Sequence, residues 1–434
     1  MTIGEGSTNE AANRAARVSA RFSLGVLLAI NVFNYIDRYV LAAVESHVRA
    51  EFFGPDDPDA RLKMGLLATA FLVTYMLTAP IFGWLADRSR RWTIVALGVG
   101  LWSLASGGSG LATTFGFLLL MRVLVGVGEA AYGPAAPTLI ADLFPVERRG
   151  RVLAWFYLAI PVGSALGYML GGMVAKVSTW HWAFFVTLPP GLILMALAWM
   201  RPEPARGLSD RKAGRPAAQL RDYFSLVRNR SYVLGVGGMT AFTFAVGGIS
   251  FWIPTYFYEY RGVENLAHVN LTFGAITVAA GFAATLTGGW LGDRLTRRWP
   301  GAYFLVSAGG MFAGLPFFVG SLYVSFPAAY VLLFAAIFCL FLNTGPANAI
   351  LANVTTPEVR ATGFALSIFL IHALGDAISP PLIGWLTDQT RSAEMPKGDM
   401  SLAFLLLSGF MGLSGVLWTL GARHLEQDTA AARE

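Results

Sequence analysis

The sequence predicts an all-α membrane protein with twelve transmembrane helices. Hydrophobic residues make up 55% of the 434-residue chain and charged residues only 13%, with a mean hydropathy of +0.56. A chain of this composition has more apolar surface than one soluble core can bury. The apolar residues also fall into twelve segments, each close to the roughly 20 residues that a helix needs to cross a bilayer.

The twelve segments are separated by polar connections. They cover residues 22–49, 62–86, 92–112, 117–143, 150–176, 180–200, 231–258, 269–293, 301–323, 328–354, 361–387 and 400–423. The chain's 48 glycines and 21 prolines are spread through these segments. Membrane bundles tolerate such residues, because neighbouring helices satisfy the freed backbone groups. The polar segment before the first span has no apolar stretch of its own, which indicates a tail and not a cleaved signal peptide.

Loop charge predicts the side of the membrane that holds the termini. An even number of spans puts both termini on one side. The tails and the loops after even-numbered spans contain 23 of the 32 Lys and Arg residues, and the opposite loops contain 7. The positive-inside rule therefore predicts cytoplasmic termini, in a bacterial-type inner or plasma membrane. The same loop charge explains the sequence pI of about 9.5 without a nucleic-acid partner.

Internal repeats divide the chain into two halves. GWLADRSRR at 83–91 recurs as GWLGDRLTRR at 289–298, and IADLFPVERR at 140–149 recurs as LANVTTPEVR at 351–360. Such duplication is typical of secondary transporters, which bind substrate between the halves near the midplane. The predicted organisation is a cytoplasmic tail at 1–21, six-helix bundles at 22–200 and 231–424, a cytoplasmic linker at 201–230 and a second tail at 425–434.

Four charged residues within the predicted spans are candidate transport residues. Asp37 and Arg38 lie in the first span, and Arg122 and Glu129 lie in the fourth. A charge at the centre of a spanning helix costs roughly 3 kcal/mol even on a lenient scale, so it normally faces an internal cavity. Arg122 and Glu129 are seven residues apart, which places them on one helix face about 10 Å apart. We therefore expect all four residues around one cavity.

Two acids and two arginines in such a cavity can couple protons to an anion. A buried carboxylate exchanges a proton when a nearby arginine is drawn away, and arginine binds phosphate or carboxylate in a bidentate manner. We hypothesise that Asp37 and Glu129 are proton sites and that Arg122, with Arg38, is the head-group site or switch. The alternative is a neutral ion-paired cluster that only fixes helix register.

The repeated loop motif predicts a gate on the cytoplasmic side. Gly83 and Gly289 would permit close helix contact, while Asp87 and Asp293 lie at helix ends where they can cap a helix or pair with arginine. The alternative is that the arginines of these loops only set topology. The candidate gate residues are Asp87, Arg88, Asp293, Arg294, Glu147, Arg149, Glu358 and Arg360.

Span 11 carries a further acid. Asp376 lies four residues after His372, so both share one helix face. They could form a proton relay, or His372 could be an ordinary packed residue. Pro380 and Pro381 should break this helix. Tyr35 is a further secondary candidate, and the aromatic residues of span 7 could line an apolar cavity or face lipid.

These motifs resemble a known superfamily. Twelve spans, a basic middle loop and a G-x-L-x-D-R pattern with paired arginines after spans 2 and 8 resemble the major facilitator superfamily. Arg122 with Gly126 and Gly128 is similar to its span-4 arginine motif, which is associated with proton transfer. The resemblance implies two pseudo-symmetric six-helix bundles that rock about a central site.

Four blocks resemble one family within it. NYIDRY at 34–39 and the segments 126–145, 156–168 and 372–384 are similar to the Spinster family of lysolipid and sphingosine-phosphate transporters. This resemblance implies proton-linked, alternating-access movement of an amphipathic anion such as a lysophospholipid or sphingoid phosphate. The alternative is a proton-coupled organic-anion symporter of the same superfamily.

Other function classes are disfavoured. The sequence contains no G-x-x-x-x-G-K-[ST] motif of an ATP-driven pump, no Cys/His cluster with metal spacing and no TVGYG-like filter. We therefore expect no enzymatic activity, no cofactor and no metal. The expected partners are an amphipathic anion, protons and the lipid bilayer, and the expected oligomeric state is a monomer.

Overall fold

The computed structural model is mainly helical and contains no strand in the part of the chain that it describes. It describes residues 3–54, 57–144, 146–204, 226–356 and 359–432, without the side chains of 3–17, 87, 146–151, 153–154 and 360–362. The first half contains α1 (Ile3–Phe52), α2 (Ala60–Arg88), α3 (Arg91–Ser109), α4 (Phe115–Ala130), α5 (Ala135–Leu143), α6 (Val146–Val177), α7 (Trp180–Phe185) and α8 (Leu188–Trp199).

The second half repeats the arrangement. It contains α9 (Arg230–Glu259), α10 (Leu266–Leu295), α11 (Ala302–Tyr323), α12 (Ala328–Phe341), α13 (Thr344–Val354), α14 (Arg360–Ile371), a π-helical turn (His372–Asp376), α15 (Ser379–Gln389), α16 (Met400–Gly421) and α17 (Leu425–Ala431). The two six-helix bundles predicted from the repeats are therefore present, while the boundaries predicted for tails and linker stay predictions. Helix α1 begins well before the predicted span, in an alanine-rich stretch with high helix propensity.

Eleven of the predicted spans are helices long and apolar enough to cross a membrane in the described residues. The other predicted span is α3, a 19-residue helix rich in glycine and serine, most of which is buried. Its Gly98 lies against Ala131 after α4, and its Gly107 lies against Leu188 of α8. A helix covered by other helices needs close packing more than large lipid-facing side chains, which explains its lower hydropathy.

Spans 4, 6, 10 and 11 are each divided into two helices. Proline lies at all four of these breaks, and it interrupts helices because it lacks a backbone N–H and its ring clashes with the preceding turn. Pro134 precedes α5, Pro189 and Pro190 lie in the first turn of α8, Pro346 lies in the first turn of α13, and Pro380 with Pro381 opens α15. The break predicted in span 11 is thus confirmed, and it follows the π-helical turn that contains His372.

The two ends of the bundle differ in how the halves meet. We call the end near residues 20, 90, 200, 230 and 425 the terminal end, and the opposite end the far end. Hydrogen bonds between the halves run from the middle, where Thr69 donates to Ala377 O at 2.6 Å, to the far end, where Asn270 donates to Ala43 O at 2.9 Å. The far end of the interface is therefore closed.

Helices α6 and α10 show the same asymmetry. Gly274 of α10 packs against Ala165 of α6 in the far half. In the terminal half, Trp155 of α6 and Trp290 of α10 are each 59% exposed. Among the described side chains, the contacts between these two helices thus run from the middle of the bundle to the far end.

Candidate functional site

Arg38 and Glu129 form an ion pair between the first and fourth spans. Arg38 Nε donates to Glu129 Oε2 at 2.7 Å. The guanidinium carbon lies 5.0 Å from the ring centres of Tyr35 and Phe71 and 5.2 Å from that of Tyr75. Three rings around a guanidinium supply cation–π attraction and exclude much of the water. The Arg38 side chain keeps 19% exposure while that of Glu129 is fully buried, so the arginine is the accessible member of the pair.

Asp37 faces a different direction from its neighbour Arg38. Its Oδ1 accepts from the Ser106 hydroxyl at 3.0 Å, and that hydroxyl lies 3.3 Å from Thr187 Oγ1. Asp37 Oδ2 has no hydrogen-bond partner among the described residues, although the residue is completely buried. Successive helix residues point about 100° apart, which is why Asp37 meets α3 and Arg38 meets α4.

Arg122 is a buried cation with free donors. It is 2% exposed, forms no ion pair in the described part of the chain, and leaves its Nε and Nη2 without hydrogen-bond partners. Its guanidinium lies 5.9 Å from the Phe184 ring centre, and it interacts electrostatically with Asp37 and Glu129. The structure therefore brings all four predicted charges into one region, with Arg38 rather than Arg122 in direct contact with an acid.

This arrangement can exchange partners. Within the described residues, Glu129 Oε1 has no hydrogen bond, so it can accept a proton if Arg38 leaves. Arg38 can leave only if another anion takes its donors, since an unpaired buried charge is costly. Arg122 supplies positive charge that holds the region near neutrality with both carboxylates ionised.

His372 and Asp376 contact one another as their spacing predicted. His372 Nδ1 lies 3.0 Å from each carboxylate oxygen of Asp376, and their side chains are 23% and 22% exposed. Both belong to the π-helical turn of span 11. Asp376 also interacts electrostatically with Tyr39 of the first half, so this pair lies close to the interface between the halves.

The predicted cytoplasmic gate falls largely outside the described side chains. Glu358 lies outside the described residues, and the side chains of Asp87, Glu147, Arg149 and Arg360 lie outside the description. The gating roles of these residues stay predictions.

The other gate candidates make local contacts. Asp293 is exposed and accepts from the Tyr303 hydroxyl at 2.8 Å within its own half. Arg88 and Arg294 lie over Trp84 and Trp290, at 4.4 Å and 5.4 Å from the ring centres. Each arginine thus stacks on the tryptophan four residues before it, and the two repeats share this contact.

Arg91 is more than a topology signal. It is 4% exposed and pairs with Asp142 at 2.6 Å and with Glu203 at 2.7 Å. These pairs join α3, α5 and the segment after α8 at the terminal end. The interpretation that the loop arginines only set topology is therefore wrong for this residue.

Sequence reasoning missed a group of charged residues at the far end. Arg61 pairs with Asp388 at 3.1 Å and reaches Glu259 at 3.7 Å, while Arg49 pairs with Glu45 at 3.0 Å and also contacts Glu259. The group joins α1 and α2 of the first half to α9 and α15 of the second. Its members lie at the edges of predicted spans, where they look like ordinary loop charges. From the sequence, only a prediction of contacts between the two halves could have identified these residues as an interface.

An apolar groove lies in the second half between α9, α14 and α16. Its volume is about 380 Å³, and its lining is almost wholly apolar, including Val236, Phe244, Leu370 and Leu374. Five other aromatic residues of span 7 are buried in the core: Phe242, Phe251, Trp252, Tyr256 and Phe257. Most of the aromatic residues in span 7 therefore stabilise the bundle instead of lining a cavity.

The described residues contain no group of three or more His, Cys, Asp or Glu side chains that could hold a metal ion.

Comparison with known proteins identifies relatives over most of the chain. The Major Facilitator Superfamily model matches residues 27–375. Protein spinster of Drosophila melanogaster is 38% identical over 378 residues, which cover 85% of this chain but 62% of the fly protein. Protein spinster homolog 1 of Xenopus tropicalis is 36% identical, with 94% of this chain and 81% of that protein covered. The human homolog 1 is 37% identical, with 94% and 82% covered.

Solved structures share the fold. The crystal structure of a bacterial homolog to the human lysosomal transporter Spinster, in an inward-facing and unoccupied conformation, has a TM-score of 0.79 at 20% identity and covers 95% of this chain and 97% of that one. A D-xylose–proton symporter has a TM-score of 0.70 at 16% identity, with 91% and 96% covered. At these identities the likeness concerns the fold alone.

Proposed function

Because the chain belongs to the major facilitator superfamily and to its Spinster family of membrane transporters, we propose that it moves an amphipathic anion across the bilayer in a proton-coupled, alternating-access cycle. The observation that carries this proposal is the Arg38–Glu129 ion pair, buried on the acid side and accessible on the arginine side. In the proposed cycle the anionic head group replaces Glu129 on Arg38. Glu129 then takes up a proton, since its charge has lost its counterion.

Asp37 and Arg122 form the second part of the proposed coupling site. One oxygen of Asp37 and two nitrogens of Arg122 have no hydrogen-bond partner in the described part of the chain. A change of charge on Glu129 alters the electrostatic balance of both residues, because all three interact. We assign Asp37 as the second proton site. We assign Arg122 as the fixed positive charge that offsets the negative charge of the incoming head group.

Two features support the proposal that part of the substrate is apolar. The aromatic residues Tyr35, Phe71 and Tyr75 surround Arg38, so a head group that binds there meets apolar surface beside its charge. The groove between α9, α14 and α16 offers apolar lining in the other half. A phosphate on a hydrocarbon chain, as in a lysophospholipid or a sphingoid phosphate, matches this pairing better than a small carboxylate does.

The closed far end supports an assignment of the conformational state within the transport cycle. We propose that the structure represents the conformation that is open toward the terminal end, and that the termini are cytoplasmic as the loop charges predict. Residues Trp155 and Trp290 would then line the opening between the halves.

Transport into vesicles tests the proposal. Purified protein in lipid vesicles is given an imposed pH gradient, and the flux of a labelled sphingoid phosphate, a lysophospholipid or a small dicarboxylate is measured. We expect gradient-driven flux of the lipid phosphates. Glu129→Gln and Asp37→Asn should lose the dependence on the gradient, because neither side chain can carry a charge that titrates. Glu394→Gln, at an exposed loop acid, serves as the matched control and should behave like the parent.

Two results would contradict the proposal. Undiminished gradient dependence in both central variants would remove the acids from the coupling mechanism. Flux of the dicarboxylate without flux of the lipid phosphates would favour the organic-anion symporter.

A further inference from the structure

Helix α2 is capped by an acid from the opposite half of the protein. Its own N-cap residue, Asp59, makes no side-chain capping hydrogen bond. Instead, Asp388 Oδ2 at the end of α15 accepts from the backbone N–H groups of Arg61 at 2.9 Å and Leu62 at 3.1 Å. Asp388 Oδ1 also accepts from Arg61 Nη1 at 3.1 Å. One carboxylate therefore satisfies three donors across the interface.

This contact has a clear energetic role. The first N–H groups of a helix have no partner within the helix, and its N-terminus carries partial positive charge. A carboxylate there stabilises the helix, usually from a residue just before it in the chain. Here the acid is more than 320 residues away in sequence, so separating the halves at the far end would exchange all three of these hydrogen bonds for hydrogen bonds to water.

The surrounding residues reinforce the closed arrangement. A Cβ atom on Gly65 of α2 would come within 2.4 Å of the Pro381 backbone, and one on Gly384 of α15 would come within 2.4 Å of Arg61 O. Only glycine allows α2 and α15 to approach this closely. Glu259 of α9 contacts Arg61 from a third side, so the arginine is held by acids from two helices of the second half.

We propose that Asp388 is the latch of the far-end gate, and that its capping of α2 holds this end closed until transport separates the halves. The proposal rests on the alternating-access part of the proposed function. It adds a gating residue at the end opposite to the loop motifs, and it explains why α2 begins without a cap of its own.

Distances between spin labels test this latch in the whole protein. Cys339, the single cysteine, is first replaced by alanine. Labels are then attached after Val177→Cys and Tyr323→Cys, at exposed far-end positions of α6 and α11 in different halves. Asp388→Ala should increase the ratio of long to short distances on the order of tenfold, because a cap and a charge-assisted contact are lost together. Asp388→Asn, which keeps an accepting oxygen, should give a smaller increase.

Asp399→Ala is the matched control. Asp399 Oδ1 accepts from Leu402 N at 3.1 Å and caps α16 within one half, so its loss should leave the distances between halves unchanged. Unchanged distances in both Asp388 variants would overturn the proposal, as would an equal lengthening in Asp399→Ala. If Asp388→Ala does not fold, the Asp388→Asn distances decide. The measurement needs neither substrate nor pH gradient, so it can fail while proton-driven flux is observed, and the reverse.

Discussion

Replacing Arg38 by lysine should lower gradient-driven transport by about 100-fold while leaving the protein folded. Lysine keeps the positive charge that Glu129 needs but loses the planar fork that binds a phosphate at two points and stacks among Tyr35, Phe71 and Tyr75. A charge-assisted bidentate contact contributes about 1.5–3 kcal/mol, which corresponds to roughly 10- to 100-fold in binding. The initial rate of uptake into vesicles measures the effect. Arg201→Lys is the control, because Arg201 also lies over an aromatic ring, 4.8 Å from that of Phe22, but at the terminal end.

A double variant separates function from helix register. Arg38→Ala alone should be strongly destabilising, by about 3–5 kcal/mol, because it leaves Glu129 buried without a counterion. Combining Arg38→Met with Glu129→Gln removes both charges and should restore most of the melting temperature but no gradient-driven flux. If the pair only fixed the register of α1 against α4, the double variant would regain transport together with stability.

The fold was predictable because hydropathy and repeats report on it directly. The span count, the two halves and the proline break at Pro380 depend on local sequence, and the structure contains each of them. The location of the four central charges was predictable for the same reason. Their pairing was not, because a rotation of a helix by one residue exchanges Asp37 for Arg38 at a given neighbour. The sequence suggested that the anion and an acid compete for Arg122. In the proposed cycle they compete for Arg38 instead.

The far-end contacts could not be predicted for a different reason. Arg61, Glu259 and Asp388 come from three helices that only the tertiary fold brings together. Each lies at a span boundary, where boundary errors of several residues hide whether a charge is in a loop or in an interface. A polar contact between distant helices requires the docking geometry of the halves, and hydropathy carries no information about it.

The glycines of the repeated loop motif also show that the sequence does not determine which of two neighbouring residues faces another helix. Gly289 was predicted to permit close helix contact, and a Cβ on Gly345 of α13 would indeed lie 3.2 Å from Gly289 Cα. A Cβ on Gly289 itself would meet no described atom within 4 Å. The adjacent Gly288, outside the motif, is the crowded position: a Cβ there would lie 1.9 Å from Leu342 O and 2.7 Å from Leu342 C. The close contact predicted at Gly289 is thus made through its backbone, while the position without room for a side chain is Gly288, because neighbouring helix positions point about 100° apart.

Gly288→Ala should therefore destabilise the protein strongly, while Gly289→Ala should not. The clash at Gly288 involves backbone atoms where α12 ends, so α10 must move away from the break in span 10. Overpacking of this kind costs about 1–3 kcal/mol. At Gly289 the added methyl group enters open space, and the higher helix propensity of alanine should stabilise α10 by up to about 1 kcal/mol. Melting temperatures of the two purified variants in one detergent provide the comparison.

The two alanine variants differ by one position, so they share composition and the same change in helix propensity. A similar loss of stability in both would mean that the motif tolerates no side chain at either glycine, and it would contradict the packing of α10 against the end of α12. A loss confined to Gly288→Ala would instead place the position that has no room for a side chain beside the motif.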